Sequence, residues 1–423
     1  MAHFCFVSFG YAGHTDYGGM SYVRTARELI ARGHTARWVF CRRPNLPAYP
    51  QGPELLRQHG VPLDDLGPLH LGQDDPLAPE GVRRLTSYIK RESFDCMVVG
   101  RASVGAMFAA HAVGVPWATV GGDGRQWAAT KRGTALVLLP GTRRRPAPML
   151  RDHPTLSQQY PDELFDSDRA ASPFLNMSFF PRAFWERGSE TRLAAHTHCL
   201  GAHTTAPAHE DGTRLVITLG NSFYPPLAHR MLHSLLPVLA ERELPTLVLT
   251  GTGGIAAALR RQIAQLPGVE VREWMPYDEA FRGALAAVGH GGTSHVWHSL
   301  GAGCPVLAIP HHSDQLFNAM QVARLGVGCQ VNARITSARV RRLAAHLPGS
   351  LRSSVTYASS RLDRRGLIDS LSRVMTPQMQ SAGRALQRAF CSGGGVQAAA
   401  SLLERLQAER QPMTSCAPGS CCC

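Results

Sequence analysis

The segment from Trp274 to Gly328, WMPYDEAFRGALAAVGHGGTSHVWHSLGAGCPVLAIPHHSDQLFNAMQVARLGVG, holds the densest set of residues able to do chemistry. Ala286 to Gly289 is apolar and strand-like, and His290-Gly291-Gly292-Thr293-Ser294 then turns the chain into a helix. Glycines let a backbone approach a ligand closely. Thr293 and Ser294 add hydroxyl donors and His290 adds a ring nitrogen. The N-terminus of a helix presents unpaired N–H groups and a partial positive charge. Together these suit an anionic diphosphate. No Gly-Lys-Ser/Thr follows, so this is not a Walker loop, and it is not the dinucleotide G-x-G-x-x-G either. A strand-to-helix turn often needs glycines for geometry alone, with its histidine simply exposed. Company at fixed distances raises the signal. Gly303-Cys304-Pro305 stops the helix and starts a strand. Pro310-His311-His312-Ser313-Asp314-Gln315 follows that strand's C-terminal end, and Asn318-Ala319 and Gly326-Val327-Gly328 close the segment.

The elements that must position these residues follow an alternating rhythm. Strands are expected at His3–Phe9, Ala36–Phe40, Cys96–Val99 and Trp117–Val120, with helices at Ser21–Arg32, Glu80–Arg91 and Val104–Val113. Between Pro140 and Pro181 seven prolines break the rhythm, which predicts a loop or irregular helices. A helix at Ala183–Ala195 and a linker at Gly201–Gly212 are expected next. The rhythm then restarts. Strands are predicted at Leu215–Leu219, Thr246–Thr250, Val269–Glu273, Ala286–Gly289 and Pro305–Ile309, with helices between them and at Gln315–Leu325. Two such halves imply an α/β chain of two doubly wound parallel-sheet domains, with ligands in a cleft at the carboxyl ends of the strands.

Composition narrows the function. The 423 residues are 44% hydrophobic and 18% charged, which argues against global disorder. The longest apolar stretch, Met97 to Val120, is broken by Arg101, His111 and Pro116, short of the ~20 clean residues of a membrane span. The N-terminus has no Lys or Arg before its apolar run, a poor signal peptide and a good buried strand. The reading is a cytoplasmic, reduced protein. Net charge is +13, and only Lys90 and Lys131 are lysines among 44 basic residues. The arginines are scattered, so a basic surface fits better than a nucleic-acid site, while attraction to an anionic membrane face stays open. Of eleven cysteines, seven read as dispersed buried hydrophobes or have no metal spacing, and four stand in the tail at Cys416, Cys421, Cys422 and Cys423. No histidine set has metal-ligand spacing, so no metal and no cofactor are expected.

The 274–328 composite resembles the nucleotide-sugar signature of the family-1 glycosyltransferases of GT-B fold, including macrolide and other natural-product enzymes. Arg32-Gly33-His34, Gly220-Asn221-Ser222 and Gly393-Gly394-Gly395 are similar to collinear family motifs. The resemblance implies two facing Rossmann-like domains with a cleft between them. The acceptor domain would be 1–205 and the nucleotide-sugar domain 206–390. A closing helix would span 391–410, packing back on the first domain, and a disordered tail 411–423. It implies an inverting transfer from a UDP- or dTDP-sugar to a small, largely apolar acceptor. Trp274 would lie beside the base, although a core aromatic at a strand end reads equally well, and the Met275 backbone would pair with the base edge. His290, Gly291, Gly292, Thr293 and Ser294 would hold the diphosphate, reached also by Ser222. Asp314 and Gln315 would bind the donor sugar, and Asp314 could also cap the helix beginning at Gln315.

Three departures from the family pattern stand out. The glutamate that binds ribose hydroxyls in many members is replaced by His298. The catalytic histidine expected sixteen residues before His34 falls on Gly18, so His14 would serve across a local insertion. The aspartate that orients that histidine has no counterpart near Gly100, leaving Asp16 or Asp123. A histidine of pKa near ~6.5 would take the acceptor's proton as the new bond forms. A non-catalytic shell that binds a nucleotide or supports a partner enzyme is the alternative reading. So is a transferase acting on a lipid-linked acceptor at a membrane face.

Overall fold

The computed structural model describes residues 1–9, 19–42, 51–69, 78–100, 104–120, 128–130, 172–185, 191–193, 196–202, 212–220, 225–251, 257–310, 313–331, 334–335, 360–361 and 364–413. His14, Asp16, Asp123, Ser222, His311, His312, the tail cysteines and most of the proline-rich stretch lie outside them. Among the described residues, one compact unit takes the chain up to Ala202 and again from Ser392, and the second runs from Gly212 to Cys391.

The first unit contains β1 (His3–Phe9), α1 (Gly19–Ala31), β2 (Thr35–Arg42), α2 (Gln51–Gln58), β3 (Leu63–Pro68), α3 (Ala78–Glu92), β4 (Cys96–Gly100), α4 (Val104–Val113), β5 (Trp117–Val120), β6 (Ala128–Thr130), β7 (Leu175–Ser178), α5 (Arg182–Trp185), β8 (Thr191–Leu193) and β9 (Thr197–Cys199). Seven strands form one sheet in the order β3-β2-β1-β4-β5-β7-β9, each pair parallel. The central strands β1, β4 and β5 read as continuous apolar runs because both faces of a parallel sheet are covered. Phe4, Phe6, Val98, Val99 and Ala118 are fully buried.

Two expectations change here. The proline-rich stretch ends in a sheet strand, β7. Its buried Asn176 takes an N–H from Ser172 at 2.8 Å and donates to the Ser172 carbonyl at 2.8 Å. Buried Ser178 accepts from the Trp185 indole at 2.8 Å. With its polar groups satisfied inside, the strand is buried on both faces although only every second residue is apolar. The helix expected at Ala183–Ala195 is the four-residue α5, and Thr191–Leu193 is a strand paired antiparallel with β6.

The second unit contains β10 (Arg214–Thr218), α6 (Pro225–Arg242), β11 (Thr246–Leu249), α7 (Ala257–Ala264), β12 (Val269–Arg272), α8 (Tyr277–Ala280), β13 (Ala284–Gly289), α9 (Thr293–Gly301), β14 (Val306–Ala308), α10 (Ser313–Arg324), β15 (Gly328–Gln330), the short antiparallel pair β16 (Arg334–Ile335) and β17 (Ser360–Arg361), α11 (Arg364–Val374) and α12 (Pro377–Cys391). Its six-stranded parallel sheet runs β12-β11-β10-β13-β14-β15. The order reverses between β10 and β13, the switch point where such sheets bind ligands. Alternate residues face opposite sides. Leu215, Ile217, Ala286 and Val288 pack with α6 and α11, while Val216, Leu247, Leu249 and Ala287 pack with Met275 and Phe281.

The last helix, α13 (Gly395–Glu409), returns to the first unit and packs on α1. The Gly395 N–H donates to the Leu200 carbonyl at 2.8 Å. The His34 Nδ1 accepts the Ala2 N–H at 3.1 Å, so its Nε2–H donates to Glu404 at 2.9 Å. Arg32 bonds the other Glu404 oxygen at 2.9 Å. Of the tail expected to be disordered from 411 to 423, residues 411–413 are described and the rest lie outside the described residues. Met413 is buried, and its N–H donates to the Phe174 carbonyl at 2.8 Å.

Candidate functional site

The site-forming turns leave the carboxyl ends of β10 and β13. Gly291 has φ +78, and a Cβ there would stand 3.1 Å from the Gln315 carbonyl and 3.3 Å from the Ala308 Cβ. Only glycine fits so tight a left-handed turn. Gly292 is the N-cap of α9 and has no side chain to satisfy the helix's first N–H groups. No acidic residue stands in the first turn to offset the dipole. The Val296 N–H starts the helix ladder on the Gly292 carbonyl at 3.0 Å.

His290 lies over two glycines. A Cβ at Gly220 would stand 2.5 Å from the ring Cε1, and a Cβ at Gly292 would overlap Nε2. The turn beneath is fastened by Asn318 on α10, 1% exposed, whose side-chain amide donates to the Gly291 carbonyl at 3.0 Å. Asn318 also lies 3.5 Å from the Thr293 hydroxyl, and Thr293 is buried. Thr293 therefore belongs to the floor of the turn as much as to its surface.

Between Thr293 and Gly301, only Ser294 and His298 are partly exposed, four residues apart on one face of α9. His298 donates through Nδ1 to the Asp278 carboxylate at 2.9 Å. The Tyr277 ring meets His298 edge-on, and its hydroxyl bonds the Thr218 hydroxyl at 2.8 Å. Thr218 also accepts the Gly220 N–H at 3.2 Å. The 274–278 loop is thus tied both to the end of β10 and to α9. Buried Met275 pins its start to the sheet, a contact worth about 1.5–3 kcal/mol for a fully buried side chain. Trp274 beside it is 66% exposed, so the core-aromatic reading of Trp274 is withdrawn.

His295 faces inward at 1% exposure, against Gly289 and with its ring 6.2 Å from that of His290. Neither of its ring nitrogens finds a hydrogen-bond partner among the described residues. Burial, reinforced by His290 and His298, pushes its pKa down to about 3, so it is neutral.

The structure therefore brings Trp274, Met275, His290, Gly291, Gly292, Thr293, Ser294 and His298 together on one side of the second unit. Helix α10 begins at Ser313, so Asp314 stands inside its first turn, and the expected cap before Gln315 is corrected. Gln315 is 9% exposed, with its backbone carbonyl against Gly291. Asp278, Tyr277, Thr218 and Asn318 were not legible as site residues, because their roles arise from tertiary contacts. Tyr277, Asp278 and Asn318 carried one signal, their place in the dense segment. No group of three or more metal-ligating side chains occurs among the described residues, and no described helix is long and apolar enough to cross a membrane.

Residues 253–362 match the family described as erythromycin biosynthesis protein CIII-like, C-terminal domain. Over nearly its whole length the chain is similar in fold to three solved structures. One is the glycotransferase of kitacinnamycin, with 18% identity, TM-score 0.64, and 96% of this chain and 98% of that one covered. Another is CalG4, the calicheamicin glycosyltransferase, with 17% identity, TM-score 0.66, and coverage of 97% and 100%. The third is the glycosyltransferase VinC in complex with dTDP, with 15% identity, TM-score 0.62, and coverage of 96% and 100%. No curated protein matches the chain by sequence. Two Rossmann-like units with these neighbours define the GT-B fold. The second unit carries the segment that matches the family model, within that fold.

Proposed function

We propose that the protein transfers a sugar from a UDP- or dTDP-sugar to a small, largely apolar acceptor of natural-product type, with inversion at the anomeric carbon. The observation that carries this reading is the α9 N-terminus, its first N–H groups uncapped by a side chain behind a glycine turn with His290 across it. Fixed amides and a helix dipole stabilise a departing nucleoside diphosphate without reorganising. Ser294 adds a hydroxyl, and exposed Trp274 offers a face to the base. Asp314 and Gln315 remain assigned to the donor sugar, with Ser222 at the diphosphate. The neighbour VinC, solved with dTDP, supports a nucleotide ligand in this fold.

The step needs a base, because an acceptor hydroxyl is a weak nucleophile at neutral pH. The base takes the hydroxyl proton, the oxygen attacks C1, and the bond from C1 to the phosphate oxygen breaks. His14 is assigned that role, with Asp16 or Asp123 orienting it. The test is calorimetry with UDP, dTDP and inorganic pyrophosphate on the wild type and on His290→Ala. Binding of a nucleoside diphosphate, weakened roughly tenfold or more by the substitution, supports the reading. No affinity for any of the three overturns it. Release of nucleoside diphosphate that requires both a sugar nucleotide and an acceptor supports catalysis.

A further inference from the structure

We infer that the Thr218 hydroxyl is a positioning group that holds the 274–278 loop and the 290–294 turn in one fixed register. This rests on the nucleoside diphosphate reading of the α9 N-terminus and deepens it. Three different strand ends meet here. The loop follows β12, the turn follows β13, and Thr218 closes β10. Chain connectivity alone therefore does not fix the loop against the turn, and side chains must do it.

Thr218 is 1% exposed, so its hydroxyl must find partners inside the fold. It finds two. The Gly220 N–H donates to it at 3.2 Å, and the Tyr277 hydroxyl lies 2.8 Å away. A hydroxyl has one donor and two acceptor positions, so both bonds can be held at once.

Each bond leads to a different part of the site. Gly220 has φ +64, and the His290 ring occupies the space of its missing Cβ, with Cε1 2.5 Å from that position. A shift of Gly220 therefore moves the surface that seats the ring over the turn. Tyr277 belongs to the loop in which Met275 is buried and Trp274 is exposed. Met275 anchors that loop by apolar burial, which has no direction, whereas the hydroxyl bond fixes a direction. Thr218 touches no ligand in this account and acts through Gly220 and Tyr277. Valine has nearly the same shape, and it can make neither bond.

The experiment is calorimetry with UDP and inorganic pyrophosphate on the wild type, Thr218→Ser, Thr218→Val, Tyr277→Phe and the double variant Thr218→Val/Tyr277→Phe, with urea midpoints on the same preparations. Thr218→Val should weaken UDP binding by roughly tenfold and pyrophosphate binding by roughly threefold or more, since it removes both bonds. Tyr277→Phe should weaken UDP by roughly threefold or more and leave pyrophosphate within about twofold, since the Gly220 bond survives. Thr218→Ser keeps the hydroxyl and should retain most of the affinity for both. The double variant should lose less UDP affinity than the two single losses combined, because the two residues share one bond. A merely structural role would lower the urea midpoints and leave the affinities in place. Wild-type affinities in Thr218→Val overturn the inference, and so does full additivity in the double variant. If Thr218→Val does not fold, Tyr277→Phe decides, and no loss for UDP or an equal loss for both ligands overturns it. A wild type that binds neither UDP nor pyrophosphate fails the parent reading, whereas a wild type that binds both beside an unaffected Thr218→Val fails this inference alone.

Discussion

Gly220 gives its side-chain space to His290. A Cβ at 220 would stand 2.5 Å from the ring Cε1 and 3.2 Å from Nδ1, and the residue holds φ +64. Two costs follow for Gly220→Ala. The left-handed backbone costs an L residue about 1–2 kcal/mol. The His290 ring must also move from its place over the 290–294 turn. Gly326 separates the two effects, since it has φ +67 in the same unit with open space around it. Gly220→Ala and Gly326→Ala should lower stability to urea by similar amounts. Only Gly220→Ala should weaken UDP binding, by about tenfold or more. Equal UDP affinity in the two variants would show that His290 needs no fixed position.

Asn318 is expected to couple affinity to the shape of the turn. Its amide is the buried partner of the Gly291 carbonyl. Removing one partner of a buried hydrogen bond costs about 1–3 kcal/mol. Asn318→Ala should therefore lose that much stability, and nucleotide affinity should fall as well, because the N–H groups of α9 lose their fixed direction. Asn318→Asp keeps the size but exchanges the donor for an acceptor facing a carbonyl, so it should be no better. Urea unfolding and calorimetry on the same preparations check both. Unchanged UDP affinity in a destabilised Asn318→Ala protein would confine the residue to folding.

The strands legible in the sequence were those buried on both faces. HFCFVSF, CMVVG and WATV cannot be surface segments, and each is a central strand of the first sheet. The glycine turn at 290–294 was legible as a turn for a similar reason, since glycines between a strand and a helix leave few structural alternatives. What stayed hidden was polar or paired at long range. β3, LDDLGP, stands at a sheet edge and turns Asp64 to Arg37 and Tyr88, so no apolar run marks it. β7 hides behind Asn176 and Ser178, whose partners come from elsewhere in the fold. His298 looked like a lost contact because Asp278, twenty residues away, became its neighbour only on folding.

His295 makes the second unit sensitive to acid. Its pKa falls from 6.5 to about 3 on burial. Between those values the unfolded chain binds a proton that the folded chain refuses. Stability then rises with pH and is lost as pH falls below ~6.5, at up to about 1.4 kcal/mol per pH unit. His295→Leu replaces the ring with an apolar side chain and removes that slope. Urea midpoints of wild type and variant, followed from about pH 7.5 to about pH 4.5, should converge or cross as pH drops, because only the wild type pays for the histidine. Parallel curves across this window would mean that a buried water or a structural change keeps His295 able to ionise.

Glu404 carries a dependence of the same sign in the first unit, in a more acidic window. Burial alone would raise its carboxyl pKa, but hydrogen bonds from His34 and Arg32, with the Arg32 charge, hold it below the usual carboxylate range. A depressed carboxylate pKa stabilises the fold fully above the unfolded value, near ~4.3, and the gain is lost as pH falls through the folded pKa. Both side chains of the Arg32 pair are about a quarter to a third exposed, so solvent screening limits the pair to about 1 kcal/mol or less. Glu404→Gln should loosen α13 from α1 at about pH 7 and much less at about pH 3.5. Hydrogen exchange of the α13 amides, from 395 to 409, reports this locally. The expected result is faster exchange in the variant at neutral pH, narrowing toward the wild-type rate in acid after correction for intrinsic exchange. An equal difference at both pH values would assign the latch to the apolar packing of Val396, Ala400 and Leu403 and not to its charges.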